Sequence, residues 1–509
     1  MQDCFLRRIV HTFVLTLLML VWAGCSGSSS TTFSTQPPQP GNPVGANLTQ
    51  ISSDPFSVGP GQHATEVEPH MLANGSTLVA AFQTGRISGG GSTDIGWSTS
   101  SDGGTTWSHG FLPGLTKGEG SGPYDAASDP NVAYDAKHGV WIISSLPLSG
   151  TAATPAVVLS RSTDGGFTWQ NPVSVDLTSD SSDKNWIACD SWATSPHYGN
   201  CYLQWDDPIQ NGRILMSTSS DGGLTWGTPL PTANLAEGIG GQPLAQPNGT
   251  VIVPIETNVM AAFLSSDGGA SWTAPVTISN IQFHSDPGGI RSGPLPSAAV
   301  DSAGTIWVVW EDCRFRANCT TNDLVYSTSS DGIAWSAVTR IPIDDISTAV
   351  DHFIPGVGID PATSGSGAHV GLHYYYYSNS ACDVSTCQLY VGYISSANGG
   401  SSWNLAAAQT GPMLLGWLPT SQNGLMVGDY IATVFTNGIP HGAFAVAQAP
   451  TGTTFNEAIY TGQGLTAKAK GRQLSSVGDK PLHKLSEQIE KEIPEKGLHP
   501  PRRASRKSK

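Results

Sequence analysis

One octet recurs along this chain and limits what it can fold into. It is written Ser100 to Trp107 (SSDGGTTW), Ser162 to Trp169 (STDGGFTW), Ser219 to Trp226 (SSDGGLTW) and Ser265 to Trp272 (SSDGGASW). Two degenerate copies follow, Ser329 to Trp335 (SSDGIAW) and Ser396 to Trp403 (SANGGSSW). The closing tryptophans stand 62, 57, 46, 63 and 68 residues apart. A period of that length marks repeated supersecondary units, not separate domains. Each copy has the chemistry of a turn. The Asp or Asn side chain accepts from the backbone of its own turn, the glycines admit positive φ, and the Trp is left to plug a gap between sheets. Asp102, Asp164, Asp221, Asp267, Asp331 and Asn398 are therefore assigned structural roles.

A second repeat precedes each octet, an extended pair of apolar runs around a tight turn. Glu68–Leu72 pairs with Leu78–Phe82, Asp129–Tyr134 with Val140–Ser144, and Asp183–Cys189 with Cys201–Trp205. Gln242–Ala245 pairs with Val251–Ile255, Leu295–Val300 with Ile306–Trp310, and Phe353–Ile359 with Val370–Tyr374. A seventh pair, Val427–Phe435 with Ala443–Ala447, has no octet after it, so its outer strand is expected from the N-terminal segment near Asn47–Ser52. Composition agrees with an all-β chain of many turns: only 12% of residues are charged, against 59 Gly and 35 Pro in 509 residues.

The octet is the Asp-box, or BNR repeat, and over about residues 45–465 the chain resembles the sialidase-like β-propeller superfamily. The resemblance implies a single propeller of four-stranded antiparallel blades, seven favoured over six, with ring closure removing exposed sheet edges. The octets would lie on one face. The starts of the innermost strands and the longer loops would lie on the other and enclose an axial pocket.

The ends read differently. Arg7 and Arg8 precede an apolar run ending Val21-Trp22-Ala23-Gly24-Cys25, a signal peptide (1–25) whose end resembles a bacterial lipobox. Cys25 would carry the lipid, although Trp22 replaces the usual Leu and leaves ordinary cleavage near Ala23 open. Residues 26–44 form a Ser/Thr/Pro tether. Residues 466–509 form a basic tail, expected to be disordered, with 12 Lys+Arg and 5 Asp+Glu. The rest carries 12 Lys+Arg against 34 Asp+Glu, a charge of −22, which excludes nucleic acid as a partner. The expected location is exported: an outer-membrane lipoprotein, or a periplasmic or extracellular protein, held to a membrane only by its lipid and monomeric. Cys189/Cys201, Cys313/Cys319 and Cys382/Cys387 each close a short loop and read as disulfides, with free thiols or zinc ligands as the alternative.

What the resemblance implies for chemistry is mixed. A sialidase holds its substrate carboxylate with three arginines, attacks with a Tyr activated by a Glu, and uses an Asp as acid/base. Its first Arg belongs to an Arg-Ile-Pro motif, and the matching stretch here is Val67-Glu68-Pro69. Glu68 would repel such a carboxylate. Arg86 and Asp94 stand where the family places a pocket Arg and the acid/base Asp. Arg291 and Arg314 could supply carboxylate contacts, and Glu256 with Tyr430 could form the nucleophile pair. The alternatives are loop salt bridges, Arg86 to Asp94 and Arg314 to Asp312, and packing for Tyr430. Paired carboxylates such as Glu68/Asp94 or Asp129/Asp351 could instead hydrolyse neutral sugars. Three functions stay open: a glycan-binding or glycan-processing propeller, an exo-α-sialidase with a rearranged arginine set, and a non-catalytic protein- or ion-binding scaffold. The expected partner is a glycan or glycoconjugate. No motif calls for a cofactor or a catalytic metal; the inner-strand starts Glu68, Asp129, Asp183, Asp351 and Asp429 would form an acidic ring around the axis that could bind a structural cation.

Overall fold

The computed structural model describes residues 42–150, 154–175 and 181–464. Cys25, the signal-peptide segment, almost all of the tether and the basic tail lie outside them. The described residues are all-β, with five single-turn 3-10 segments and no α-helix among them. No helix there is long and apolar enough to cross a membrane.

The strands pair as successive antiparallel meanders. The first runs through Gln62–Asn74, Thr77–Arg86, Ser92–Ser100 and Ser108–Phe111. Five more follow, each opening on one inner strand: Ala126–Asp135, Asp183–Cys189, Leu244–Ala245, Ser297–Val300 and Asp351–Ile359. The last is Ala432–Thr436, Ile439–Ala447 and Glu457–Gln463, completed by the N-terminal strand Leu48–Gln50. The three meanders that share one large sheet are joined only by single bridges, Ser92 to Ala127 and, in parallel, Thr65 to Glu457. Each inner strand touches the inner strand of the next meander, and the last touches the first.

The octets explain how neighbouring meanders hold together. Ser162 Oγ donates to Asp164 at 2.8 Å and accepts from Gly166 N at 2.9 Å. Asp164 Oδ1 accepts from the Phe167 and Thr168 amides, which leaves Trp169 free to pack backward. It joins Val79, Ile95, Val132 and Ile143 in one buried cluster between the first and second meanders. Trp272 does the same against Tyr202, and Trp403 against Tyr326. Gly166 has φ 88°, and a Cβ there would come within 2.8 Å of Val79. That octet position accepts only glycine because the previous meander lies directly against it. All three expected disulfides are present: Cys189–Cys201, Cys313–Cys319 and Cys382–Cys387.

The inner strands carry a feature the octets do not announce. Four of them bulge at the same point, with register shifts at Val67/His70, Ser128/Asn131, Asp183/Trp186 and Phe353/Gly356. At each bulge a non-glycine residue takes positive φ: Glu68 (57°), Asp129 (48°), Lys184 (46°) and Ile354 (48°). Such a conformation costs roughly 1–3 kcal/mol per residue. It re-aims the side chain, and three of the four so re-aimed are charged.

Candidate functional site

The re-aimed charges meet where the inner strands converge. Lys184 Nζ is bonded to Asp429 and lies 3.3 Å from Glu68 Oε1 and 3.5 Å from Asp129 Oδ2. Arg291 clamps Asp429 with two donors, Nε at 2.6 Å and Nη2. Gln83 bonds both Glu68 and, at 2.9 Å, the buried guanidinium of Arg86, which also donates to Gly91 O. Three carboxylates thus face three cations. The electrostatics follow from that balance. Burial alone would lower Lys184, but Asp129, Asp429 and Glu68 hold it well above the usual ammonium range. Burial would raise Asp429, yet Arg291 and Lys184 hold it far below the carboxylate range. Burial and Asp129 together lift Glu68 to about 7.

A cleft lies beside this cluster, lined by Lys184, Asn185, Trp186, Gly240, Gln242, Gly293, Leu295, Pro296, Ile354, Pro355, Asp429 and Tyr430. These residues come from or next to the inner strands of five meanders. Trp186 meets Tyr430 edge-on at 5.1 Å and His70 at 4.7 Å. Asn185 Oδ1 and both amide atoms of Gln204 are buried and accept or donate no hydrogen bond. Gln204 pairs across the ladder with Trp186 and lies against Gly241.

The expected site residues divide. Glu68, Arg86, Arg291 and Tyr430 come together. Tyr430 is buried, and its hydroxyl donates to Pro130 O at 2.9 Å. After burial, the charges acting on it are Glu68, Asp129, Asp429 and Arg291; Glu256 is not among them. Glu256 ends the strand Val251–Glu256 and is lifted to about 7 by burial alone. Asp94 lies apart from the axis. Its carboxyl accepts from Thr116 Oγ1 at 2.9 Å and from its neighbour's amide, and burial raises it to about 8. Asp94 is not among the charges that act on Glu68 and Asp129 is not among those that act on Asp351, and Arg86 donates to Gln83 and Gly91. Arg314 does form the local salt bridge, with Nη2 2.7 Å from Asp312 Oδ2.

Sequence reasoning passed over one central group. Lys184 is the hub of the axial charges, yet in the sequence it is one lysine in a polar stretch. Asp206 faces Asp183 across the ladder and is raised well above its usual range by burial and then Asp183. Asp351, which was expected in the axial ring, belongs with Asp286, Glu311 and His284 between the fifth and sixth inner strands. Asp323, Asp344 and His352 lie close enough to meet on one ion, but Arg316 and Arg340 already bind both carboxylates at 2.6–2.8 Å.

No family model matches the chain. A sialidase of Bacteroides fragilis (strain YCH46) is 33% identical over 111 residues, which is 18% of this chain and 20% of that protein. The match therefore spans about a fifth of the relative. Among solved structures, a protein of unknown function from Dyadobacter fermentans DSM 18053 aligns with a TM-score of 0.45 at 15% identity, over 70% of this chain and 99% of that one. The NanB sialidase of Streptococcus pneumoniae gives 0.40 at 16%, over 83% and 70%. The α-L-arabinofuranosidase Arb93A of Fusarium graminearum gives 0.43 at 12%, over 84% and 99%.

Proposed function

We propose that the chain is a single seven-bladed propeller of the sialidase-like superfamily that binds or processes a neutral glycan at its axial cleft. The observation that carries this reading is the state of the axial cations. Lys184 and Arg291 are both bonded to Asp429, so their charges are already answered within the protein and no cation there is left without its own carboxylate for a sialic acid carboxylate to pair with. The cleft offers instead the edge of Trp186, the ring of Tyr430 and the unpaired amide oxygen of Asn185. Aromatic faces with neutral donors and acceptors suit sugar rings and hydroxyls. The octets and the short match to a sialidase support the superfamily. The cyclic contact of the inner strands supports ring closure. The disulfides and the N-terminal segment support export, with Cys25 as lipid anchor and a monomeric body spanning residues 45–465.

A panel of fluorogenic aryl glycosides tests the reading on purified residues 26–465. Turnover of a neutral furanoside or pyranoside, with none of the α-sialoside, is the expected result. Sialoside turnover abolished by Arg291→Ala and Tyr430→Phe would overturn it in favour of an exo-sialidase. No turnover and no binding on a glycan array would leave the interaction scaffold.

A further inference from the structure

At four seams of the ring a side chain of one meander bonds a backbone carbonyl of the next octet. Thr99 Oγ1 donates to Gly166 O at 2.8 Å, Arg161 Nε to Gly222 O at 2.6 Å, Asn200 Nδ2 to Gly268 O at 3.2 Å and Gln246 Nε2 to Ser330 O at 2.9 Å. The seam between the fifth and sixth meanders is built otherwise. Thr328 stands just before its octet, as Thr99 and Arg161 stand before theirs, but its hydroxyl turns back to Ser336 Oγ at 3.3 Å. The stacked rings of Trp307 and Tyr326, with centroids 4.7 Å apart, take the space instead. The sixth octet rests on them: a Cβ on Gly400 would stand 2.8 Å from the Tyr326 hydroxyl and 3.0 Å from Trp307. Its tryptophan, Trp403, stays half-buried, whereas Trp169 and Trp272 are buried.

The seam therefore keeps a pocket of about 310 Å³ at its octet end. Buried Trp307 and Tyr326 line its floor, Thr305 and Thr328 are half-buried in its wall, and Ser336 and Thr339 are exposed at its mouth. Gly365 and Gly399 of the sixth meander complete the lining with bare backbone. The lining holds no cation and one carboxyl, Asp301, which is spent inward. Its Oδ1 accepts from the Ala303 and Thr305 amides at 2.9 and 2.8 Å, and its Oδ2 from the Gly365 amide at 2.9 Å. The octet on this seam is also the copy that carries Asn398 in place of Asp. The wall hydroxyls are only half used. Thr328 donates to Ser336 and Thr339 donates to Ala337 O at 3.2 Å, so each keeps lone pairs to accept with. Ser336 Oγ accepts from the Thr328 amide at 2.9 Å and has its own proton to give.

Aromatic rings below, hydroxyls around and no unspent charge suit a ligand that is uncharged and carries both C–H groups and several hydroxyls. An anion meets no cation here, and an ammonium meets no free carboxylate. We propose that the seam between the fifth and sixth meanders is a second binding site, for one neutral sugar unit of a glycan. It shares no lining residue with the axial cleft. It also lies at the octet end of the seam, whereas the cleft is lined from the inner strands and the loops that lead into them. A sugar can therefore occupy either site with the other filled or empty, and the seam binds whether or not the cleft cleaves anything. On a polymeric glycan the two sites act together, because a chain held at the seam is presented to the cleft at a raised local concentration.

Saturation-transfer NMR on the full chain tests the site. Glucose, galactose, mannose, arabinose and N-acetylglucosamine serve as neutral probes, and N-acetylneuraminic acid as the anionic one. The measurement is repeated in a Gly293→Trp background, which closes the axial cleft from a position with open space around it. At least one neutral sugar should bind in both backgrounds, and N-acetylneuraminic acid should not bind at the seam. Ser336→Tyr fills the mouth and should remove the signal that survives Gly293→Trp. Thr339→Ala removes one hydroxyl at an exposed position and should weaken that binding by about 3- to 10-fold; it keeps the test open if the larger side chain disturbs the fold. A sugar signal lost with Gly293→Trp and indifferent to Ser336→Tyr and Thr339→Ala would overturn the seam site and leave the axial reading intact. Binding by no neutral sugar would overturn the seam site as well. N-acetylneuraminic acid bound in the Gly293→Trp background and lost with Ser336→Tyr would overturn its neutral class. A seam signal in a chain that turns over no glycoside would support the site while counting against hydrolysis at the cleft.

Discussion

The axis and the Asp286 cluster meet the same problem, several buried carboxyls, in opposite ways. At the axis, Glu68, Asp129 and Asp429 are answered by Lys184, Arg291 and Arg86. Around Asp286, three carboxyls have one half-exposed imidazole and a distant arginine, and burial pushes all three above the usual carboxylate range. The first solution answers charge with charge and holds Asp429 ionised, although burial and Asp129 still lift Glu68 to about 7. The second leaves its carboxyls raised by burial and by one another. Buried carboxyls are common to both, so acidity alone does not mark a reactive group. What marks it is the absence of a fixed counter-charge.

Removing the axial hub should show the largest effect. Lys184→Met leaves Glu68, Asp129 and Asp429 without their shared cation, and a broken buried pair of this kind costs about 3–5 kcal/mol. Chemical unfolding should show that loss, and a loss below about 1 kcal/mol would mean the cluster is not balanced as described. Next is the pH dependence of the proton-held acids. Glu66 sits at the seam between the first and last meanders, where it accepts from Ser52 at 2.8 Å, and burial lifts it to about 8. Its folded form keeps a proton that the unfolded chain releases near 4.5. Stability from this group is therefore full below about pH 4.5 and falls as pH rises through about 8. Each such group contributes a slope of up to about 1.4 kcal/mol per pH unit in that window. Glu66→Gln should make the measured slope between pH 5 and 8 shallower, and an unchanged slope would contradict the assignment. The smallest effect belongs to the rim. Arg314 pairs with Asp312 with a fifth of its side chain exposed, so Arg314→Ala should cost about 1 kcal/mol or less, and less still in high salt.

Much of the fold was legible. The octets located the turns and the backward-packing tryptophans, and the paired apolar runs located the inner strands, because both signals are local. The cysteine pairs were legible for the same reason. The bulges were not read, although Glu68-Pro69, Asp129-Pro130 and Ile354-Pro355 mark three of the four as an X-Pro repeat. Proline cannot donate to the ladder, so its recurrence inside an inner strand signals a break in pairing. The site was legible only in part. Asp94 was placed by analogy, but it points into a fully buried position against Thr116. Lys184 becomes important only through partners far away in sequence: Asp429 lies 245 residues from Lys184. Spacing along one chain carries no record of such a meeting.

The seam has a consequence for how the molecule is made. Leu48–Gln50 completes the sheet begun by Ala432–Thr436, and Thr65 bridges to Glu457. The first strand to emerge therefore waits for the last. Until residues near Gln463 exist, the N-terminal strand has an unpaired edge and the first meander has no neighbour on one side. Contacts of that sequence separation make folding slow. A nascent chain would remain open through most of its synthesis, and proteases or chaperones would meet it in that state.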